Sequence, residues 1–145
     1  MPTFTPQNLG QTEKALNAIL ERELAGTGLS ERHWIALTLT RMLGDDGPVA
    51  GDELMDRLGD GLKIGDAEAR ILVTDLAAMQ LLAPADADGS AVSPTEAGLR
   101  LHGQISASIA RITNRLWGDL PPADLDTAGG VLATILARAN AELAT

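Results

Sequence analysis

At 145 residues the chain has the length of one domain and enough sequence to bury a core of its own. Eleven Lys and Arg against twenty Asp and Glu leave a formal charge of -9, which opposes indiscriminate attraction to phosphate, so any contact with nucleic acid must be made by a local surface. The absence of cysteine excludes a disulfide framework, a thiolate metal ligand and a thiol switch. No stretch approaches the ~20 apolar residues of a membrane span, and Met1 to Gly10 lacks a basic segment followed by an apolar run, so the expectation is a soluble, cytoplasmic protein with no membrane partner.

Leu9, Leu16, Ile19, Leu20 and Leu24 recur at helical spacing and predict a first helix, ended by Gly26-Thr27-Gly28. Ser30 is placed to cap a second helix through Trp34, Ile35, Leu37, Thr38, Leu39, Met42 and Leu43, apolar almost all round and therefore central. Gly44 to Gly47, with Asp45 and Asp46, reads as a turn, and Pro48 closes it. A short helix follows from about Gly51 to Leu58, stopped by Gly59-Asp60-Gly61. A fourth, Asp66 to Leu82, carries the stripe Ala69, Leu72, Val73, Leu76 and Met79. Two helices across a glycine-containing break predict a helix-turn-helix.

Leu81 to Ala83 and Ala91 to Ser93 are the only β candidates, joined through the hairpin dipeptide Asp88-Gly89. Ser93-Pro94-Thr95-Glu96 reads as a capping box with proline at the first helical position. The long helix that it opens has the inner stripe Leu101, Ile105, Ile109, Ile112 and Leu116, and ends at Gly118. After Pro121-Pro122 a last helix presents Leu125, Ala128, Leu132, Ile135, Leu136 and Leu143. Its Gly129-Gly130 pair reads as a close helix contact across a dimer rather than a binding loop.

The order of elements predicts an all-α chain with a small β-hairpin wing: a winged helix-turn-helix lobe over 30–100, with dimerisation helices over 1–28 and 101–145, in a single domain. The terminal helices hold more Leu than one small lobe covers. Leu9, Leu16, Leu116, Leu120, Leu125, Leu132 and Leu136 are therefore expected to meet a two-fold-related copy.

Gly28-Leu29-Ser30 leading to His33-Trp34 and Leu37, Asp52-Glu53-Leu54 with Leu58, Leu72-Val73 with Leu76, Leu81 and Leu82, Asp88-Gly89, Pro94-Thr95-Glu96-Ala97-Gly98 and the closing Leu120-Pro121-Pro122-Ala123-Asp124-Leu125 follow one another over nearly the whole chain. In order and spacing this set resembles the MarR family of transcription regulators. The resemblance implies a triangular homodimer, a recognition helix in the major groove of each half-site, a wing at the adjacent minor groove, and a ligand cleft between the lobes. Three positions depart from the family pattern: Ile71 stands where an Arg is usual in the recognition helix, Gln80 where a Gly is usual, and Ser90 where the wing tip is usually basic.

The face of the fourth helix opposite its core stripe shows Ala67, Arg70, Ile71, Thr74 and Ala78. With Lys63 and the wing residue Ser90, Ala67, Arg70, Ile71 and Thr74 are the candidate DNA contacts: Ala67 and Ile71 for thymine methyls, Arg70 for guanine or phosphate. The surroundings are unfavourable. From Pro48 to Arg100 there are four basic and ten acidic residues, a balance of -6, and Asp86 and Asp88 flank the wing tip, so weak or highly salt-sensitive binding is expected.

Resemblance also places His33 and Trp34 near the inter-lobe cleft, where Arg32 or Arg41 could answer a small aromatic or anionic ligand by a bidentate hydrogen bond. The plainer reading makes Trp34 a core residue and His33 a satisfied surface histidine. Enzyme signatures are missing: no phosphate-cradling glycine loop, no nucleophile elbow, and no Ser, His and Asp set that the helical plan would bring together. His33 and His102 are the only imidazoles, with no cluster at ligand spacing, so neither a metal nor a cofactor is expected. The chain is thus expected to be a dimeric, ligand-responsive repressor on a pseudo-palindromic operator. The alternative is a ligand-binding or protein-interaction module on the same fold that has lost DNA binding.

Overall fold

The computed structural model describes residues 2–45 and 47–145; Asp46 of the expected turn lies outside them. The elements are α1 (Pro6–Leu24), α2 (Glu31–Leu43), β1 (Val49–Ala50), α3 (Gly51–Leu62), α4 (Asp66–Ala78), β2 (Leu82–Pro84), β3 (Ala91–Pro94), α5 (Glu96–Trp117) and α6 (Pro122–Leu143). The chain is mostly helical with a small antiparallel sheet, as expected of a winged helix-turn-helix. It divides into two compact units between Ile109 and Ala110, inside α5.

In the first unit α1 begins where the Thr5 hydroxyl accepts the Asn8 N–H at 3.0 Å, with proline in its first turn where the missing amide costs nothing. α2 begins where the Ser30 hydroxyl accepts the His33 N–H at 3.2 Å. Leu37 of α2, Leu54 and Leu58 of α3 and Leu76 of α4 are fully buried, and Leu24, Leu29, Val49, Leu82 and Ile105 complete the core around them. The sheet has the order β1-β3-β2, with Val49 opposite Val92 and Ala83 opposite Ser93.

Several boundaries differ from the sequence expectation. β1 was not expected, since two residues are too short to show alternation; it is closed by the Gly51 N–H on the Ser90 carbonyl at 2.7 Å. α3 runs through Gly59-Asp60-Gly61 to Leu62, because the reversal comes at Lys63, which adopts a left-handed φ of 57° while the Ile64 N–H reaches back to the Gly59 carbonyl. α4 stops at Ala78 rather than Leu82. Gln80 takes φ 62°, its N–H bonds the Ala77 carbonyl at 3.0 Å, and the Leu81 N–H bonds the Leu76 carbonyl at 2.9 Å. This is the double closure of a left-handed helix cap, usually made by glycine. Ser93 and Pro94 belong to β3, so the cap of α5 is Thr95. Its hydroxyl accepts the Gly98 N–H at 3.0 Å and donates to the Gln80 carbonyl at 2.7 Å.

Gly98 is buried where α5 meets the base of the wing, and a Cβ there would overlap the Leu81 carbonyl oxygen. That same oxygen accepts the Thr95 N–H at 3.0 Å. Close backbone approach thus fixes the wing base against α5.

The second unit, Ala110–Thr145, contains the end of α5 and α6. The turn between them is held by the Gly118 N–H on the Asn114 carbonyl and the Leu120 N–H on the Trp117 carbonyl. No residue of α6 is buried. Among the described residues no helix is long and apolar enough to cross a membrane.

Candidate nucleic-acid interface

Because Ala69, Leu72 and Leu76 of α4 are drawn into the core, helical phase turns Ala67, Arg70, Ile71, Thr74 and Ala78 outward, and all five are exposed. Ile71 keeps 58% of its surface in solvent, a large value for an isoleucine on a well-packed lobe. Arg70 has no ion-pair partner among the described residues. Lys63 is less free: as the left-handed cap of α3 it lies 3.7 Å from the Asp60 carboxylate.

The wing tip is tightly tied. The Ser90 hydroxyl donates to Asp86 Oδ2 at 2.8 Å, the Ser90 N–H to Asp88 Oδ1 at 3.0 Å, and the Ala91 N–H to Asp86 Oδ1 at 3.3 Å. The Ser90 amide, with its hydroxyl and Asp86 adding to the effect, holds the Asp88 carboxyl below the usual carboxylate range. The wing thus ends in the carboxyl groups of Asp86 and Asp88, and the one hydroxyl expected to meet DNA already donates to one of them.

The residues expected at a ligand cleft fall into two groups. Arg32 pairs with Glu68 of α4 at 3.1 Å, and His33 Nε2 meets Asp75 of α4 at 2.9 Å, so both side chains tie the start of α2 to α4. Trp34 is buried and stacks on His102 of α5, ring centroids 4.7 Å apart and planes 16° from parallel. The exposed Arg41 lies close enough to His102 to help lower its pKa; burial contributes more to that depression. His102 was not singled out as a site residue from sequence. Its signal was phase, since Gly98, His102, Ile105, Ile109 and Ile112 share the inward side of α5.

One expectation is overturned outright. Ser30, His33 and Asp75 do come together: Ser30 Oγ lies 2.7 Å from His33 Nδ1, whose other nitrogen meets Asp75. Ser30 and His33 are one helical turn apart, but Asp75 is 42 residues further on, and only the packing of α4 on α2 delivers it.

No protein-family model and no curated protein matches the sequence. Solved structures do match in fold. A MarR-family regulator from Silicibacter pomeroyi superposes with a TM-score of 0.76 at 22% identity, covering 93% of this chain and 88% of that one. The MepR–DNA complex of S. aureus gives 0.74 at 15% identity, covering 93% and 96%. CouR from Rhodococcus jostii, bound to p-coumaroyl-CoA, gives 0.72 at 19% identity, covering 88% and 87%. By its fold, this chain stands with the MarR-family winged-helix regulators.

Proposed function

We propose that the chain is a dimeric transcription regulator that places α4 in the major groove of each half of a pseudo-palindromic operator. The observation that carries this reading is the outward face of α4. A helix pinned by three core residues presents small side chains, an exposed isoleucine and an unpaired arginine, the surface that base edges in a major groove accept. A solved relative by fold is a DNA complex. Binding is weak, because the lobe carries few cations to displace counterions and its wing carries two carboxylates.

The dimer is formed by the exposed apolar residues Leu9 and Leu16 of α1, and Leu116, Leu120, Leu132 and Leu136 beyond the division at Ile109, with the half-buried Leu125 beside them. Response to a small aromatic or anionic ligand centres on Trp34, which stacks on His102, and on Arg41. Such a ligand releases DNA only by binding more tightly to the spacing of recognition helices that does not fit the operator.

The test is a titration of purified protein against its own upstream intergenic DNA at two salt concentrations, with Arg70→Ala alongside. Sequence-dependent binding with a clear salt slope is expected, and Arg70→Ala loses about 1–3 kcal/mol of it while circular dichroism stays unchanged. The second reading, a ligand-binding or interaction module without DNA binding, draws on the acidic wing; failure to bind even at low salt selects it.

A further inference from the structure

We infer that Ile71 reads the C5-methyl group of a pyrimidine, so that operator recognition depends on that methyl and not on the hydrogen-bonding edge of the base that carries it. The inference rests on the placement of α4 in a major groove proposed above. Helical phase puts Ala67 one turn before Ile71, Thr74 one turn after it and Ala78 two turns after it, all exposed on one face. The isoleucine, 58% exposed, therefore projects beyond its small neighbours.

Single exposed apolar side chains are ordinary, but this one stands among groups left free for a polyanion. Arg70 has no ion-pair partner among the described residues. The Thr74 hydroxyl has no hydrogen-bond partner there either, whereas those of Thr40, Thr127 and Thr134 each donate to the carbonyl four residues back. The two carboxylates that border Ile71 on its other side are drawn toward α2: Arg32 holds Glu68 at 3.1 Å, and His33 Nε2 meets Asp75 Oδ2 at 2.9 Å. A cation and a free hydroxyl thus flank the isoleucine on one side, and carboxylates that already have partners flank it on the other.

An isoleucine side chain neither donates nor accepts a hydrogen bond, so it cannot tell the O4 acceptor of thymine from the N4 amino donor of cytosine. It gains only from covering apolar surface, and the apolar group that a base edge offers in the major groove is the C5-methyl. Thymine and 5-methylcytosine carry that group; uracil and unmethylated cytosine do not. Covering one methyl is a factor of about 4 in affinity, and about 15 when both half-sites of the proposed dimer carry it. C5-methylation of a cytosine at this position therefore strengthens binding, which makes the methylation state of the operator an input to regulation.

The experiment uses the intergenic DNA upstream of the chain's own gene, amplified with either thymidine or deoxyuridine triphosphate. Uracil keeps every hydrogen-bonding group of thymine and lacks only the methyl. In titrations of the full-length protein at low salt, wild type is expected to bind thymine DNA about 15-fold more tightly than uracil DNA. Ile71→Ala, a change on the solvent face that leaves the core untouched, binds both with the affinity that wild type has for uracil DNA. Replacing single thymines by uracil then locates the contact. At that base pair 5-methylcytosine should bind wild type about 4-fold more tightly than cytosine, and Ile71→Ala no more tightly. Wild type that does not bind thymine DNA even at low salt would sink the operator reading and this inference with it. Equal binding of thymine and uracil DNA by wild type, or an unchanged preference in Ile71→Ala, overturns the methyl contact and leaves the operator reading in place.

Discussion

In the first unit Leu37, Leu54, Leu58 and Leu76 are completely withdrawn from water, whereas Leu132, Leu136 and Leu143 of the second unit keep between 44% and 71% of their surface exposed. The residue type is the same, so the difference lies in what faces it. Burying a leucine stabilises by about 1.5–3 kcal/mol, and α2, α3 and α4 collect that gain from one another. α6 is 22 residues with none buried, although helices in proteins draw most of their stability from packing an apolar face rather than from propensity. The winged lobe carries its own core; the C-terminal helix, in the proposed dimer, supplies half of an interface. The largest expected effect therefore belongs to the first unit. Gly98→Ala forces a Cβ into the Leu81 carbonyl, and thermal unfolding should show a loss of about 3 kcal/mol or more. A variant as stable as wild type would mean that the base of the wing is not packed against α5.

The next effect belongs to the second unit and should leave the first alone. In the proposed dimer Leu136→Ala removes apolar surface that the second copy covers, about 1 kcal/mol per protomer. Counted twice across a two-fold axis, that is roughly 30-fold in the dimer dissociation constant. Sedimentation equilibrium would read it, with the unfolding profile of the monomer unchanged. A wild-type chain that stays monomeric at micromolar concentration would break the comparison. Gly129 and Gly130 face open space in this chain, with nothing near an added Cβ.

The same contrast explains what could be read from sequence. The six helices and the hairpin follow from spacing, since Leu24, Leu37, Leu54, Leu58, Leu72 and Leu76 each fall in phase with the core that buries them. The boundaries were less legible because they depend on single backbone turns. Lys63 and Gln80 adopt left-handed conformations that their residue types do not announce, and Pro94 is a helix-start signal that strand pairing with Leu82 overrides. The outward set on α4 was legible, being the complement of the core stripe. The links of Arg32 and His33 to α4, and the meeting of Ser30, His33 and Asp75, were not, because they require the packing of α2 on α4.

A smaller effect, opposite in sign, is expected where the first unit contains a strained residue. Gln80 at φ 62° occupies the cap position where glycine pays no Cβ penalty. Gln80→Gly removes that strain and costs some unfolded-state entropy, for a net stabilisation of about 0.5–1 kcal/mol. It should raise the chemical-denaturation midpoint without changing the slope. A lower midpoint would show that the Gln80 side chain contributes more than the strain costs.

The subtlest effect is a pH dependence confined to the first unit, which holds both histidines of the chain. His102 is buried under Trp34, with the Thr38 hydroxyl 3.2 Å from Nε2 and the Ser106 hydroxyl 3.4 Å from Nδ1. Hydroxyls serve a neutral ring well, since each can donate to or accept from either nitrogen. Burial and the nearby Arg41 charge disfavour the imidazolium, so the native pKa lies below the 6.5 of a free histidine. Between those two values the unfolded chain binds more protons than the native one. The stability that His102 contributes is present above 6.5, is lost as pH falls through the native pKa, and changes no further below it. His102→Gln should accordingly lower Tm at about pH 7.5 but narrow the drop in Tm between about pH 7.5 and pH 5.5. An equal drop in wild type and variant would place the near-neutral pH dependence elsewhere. The dissociation constant of the proposed dimer, whose interface holds neither Trp34 nor His102, should not follow this titration; if it does, the histidine site and that interface are linked.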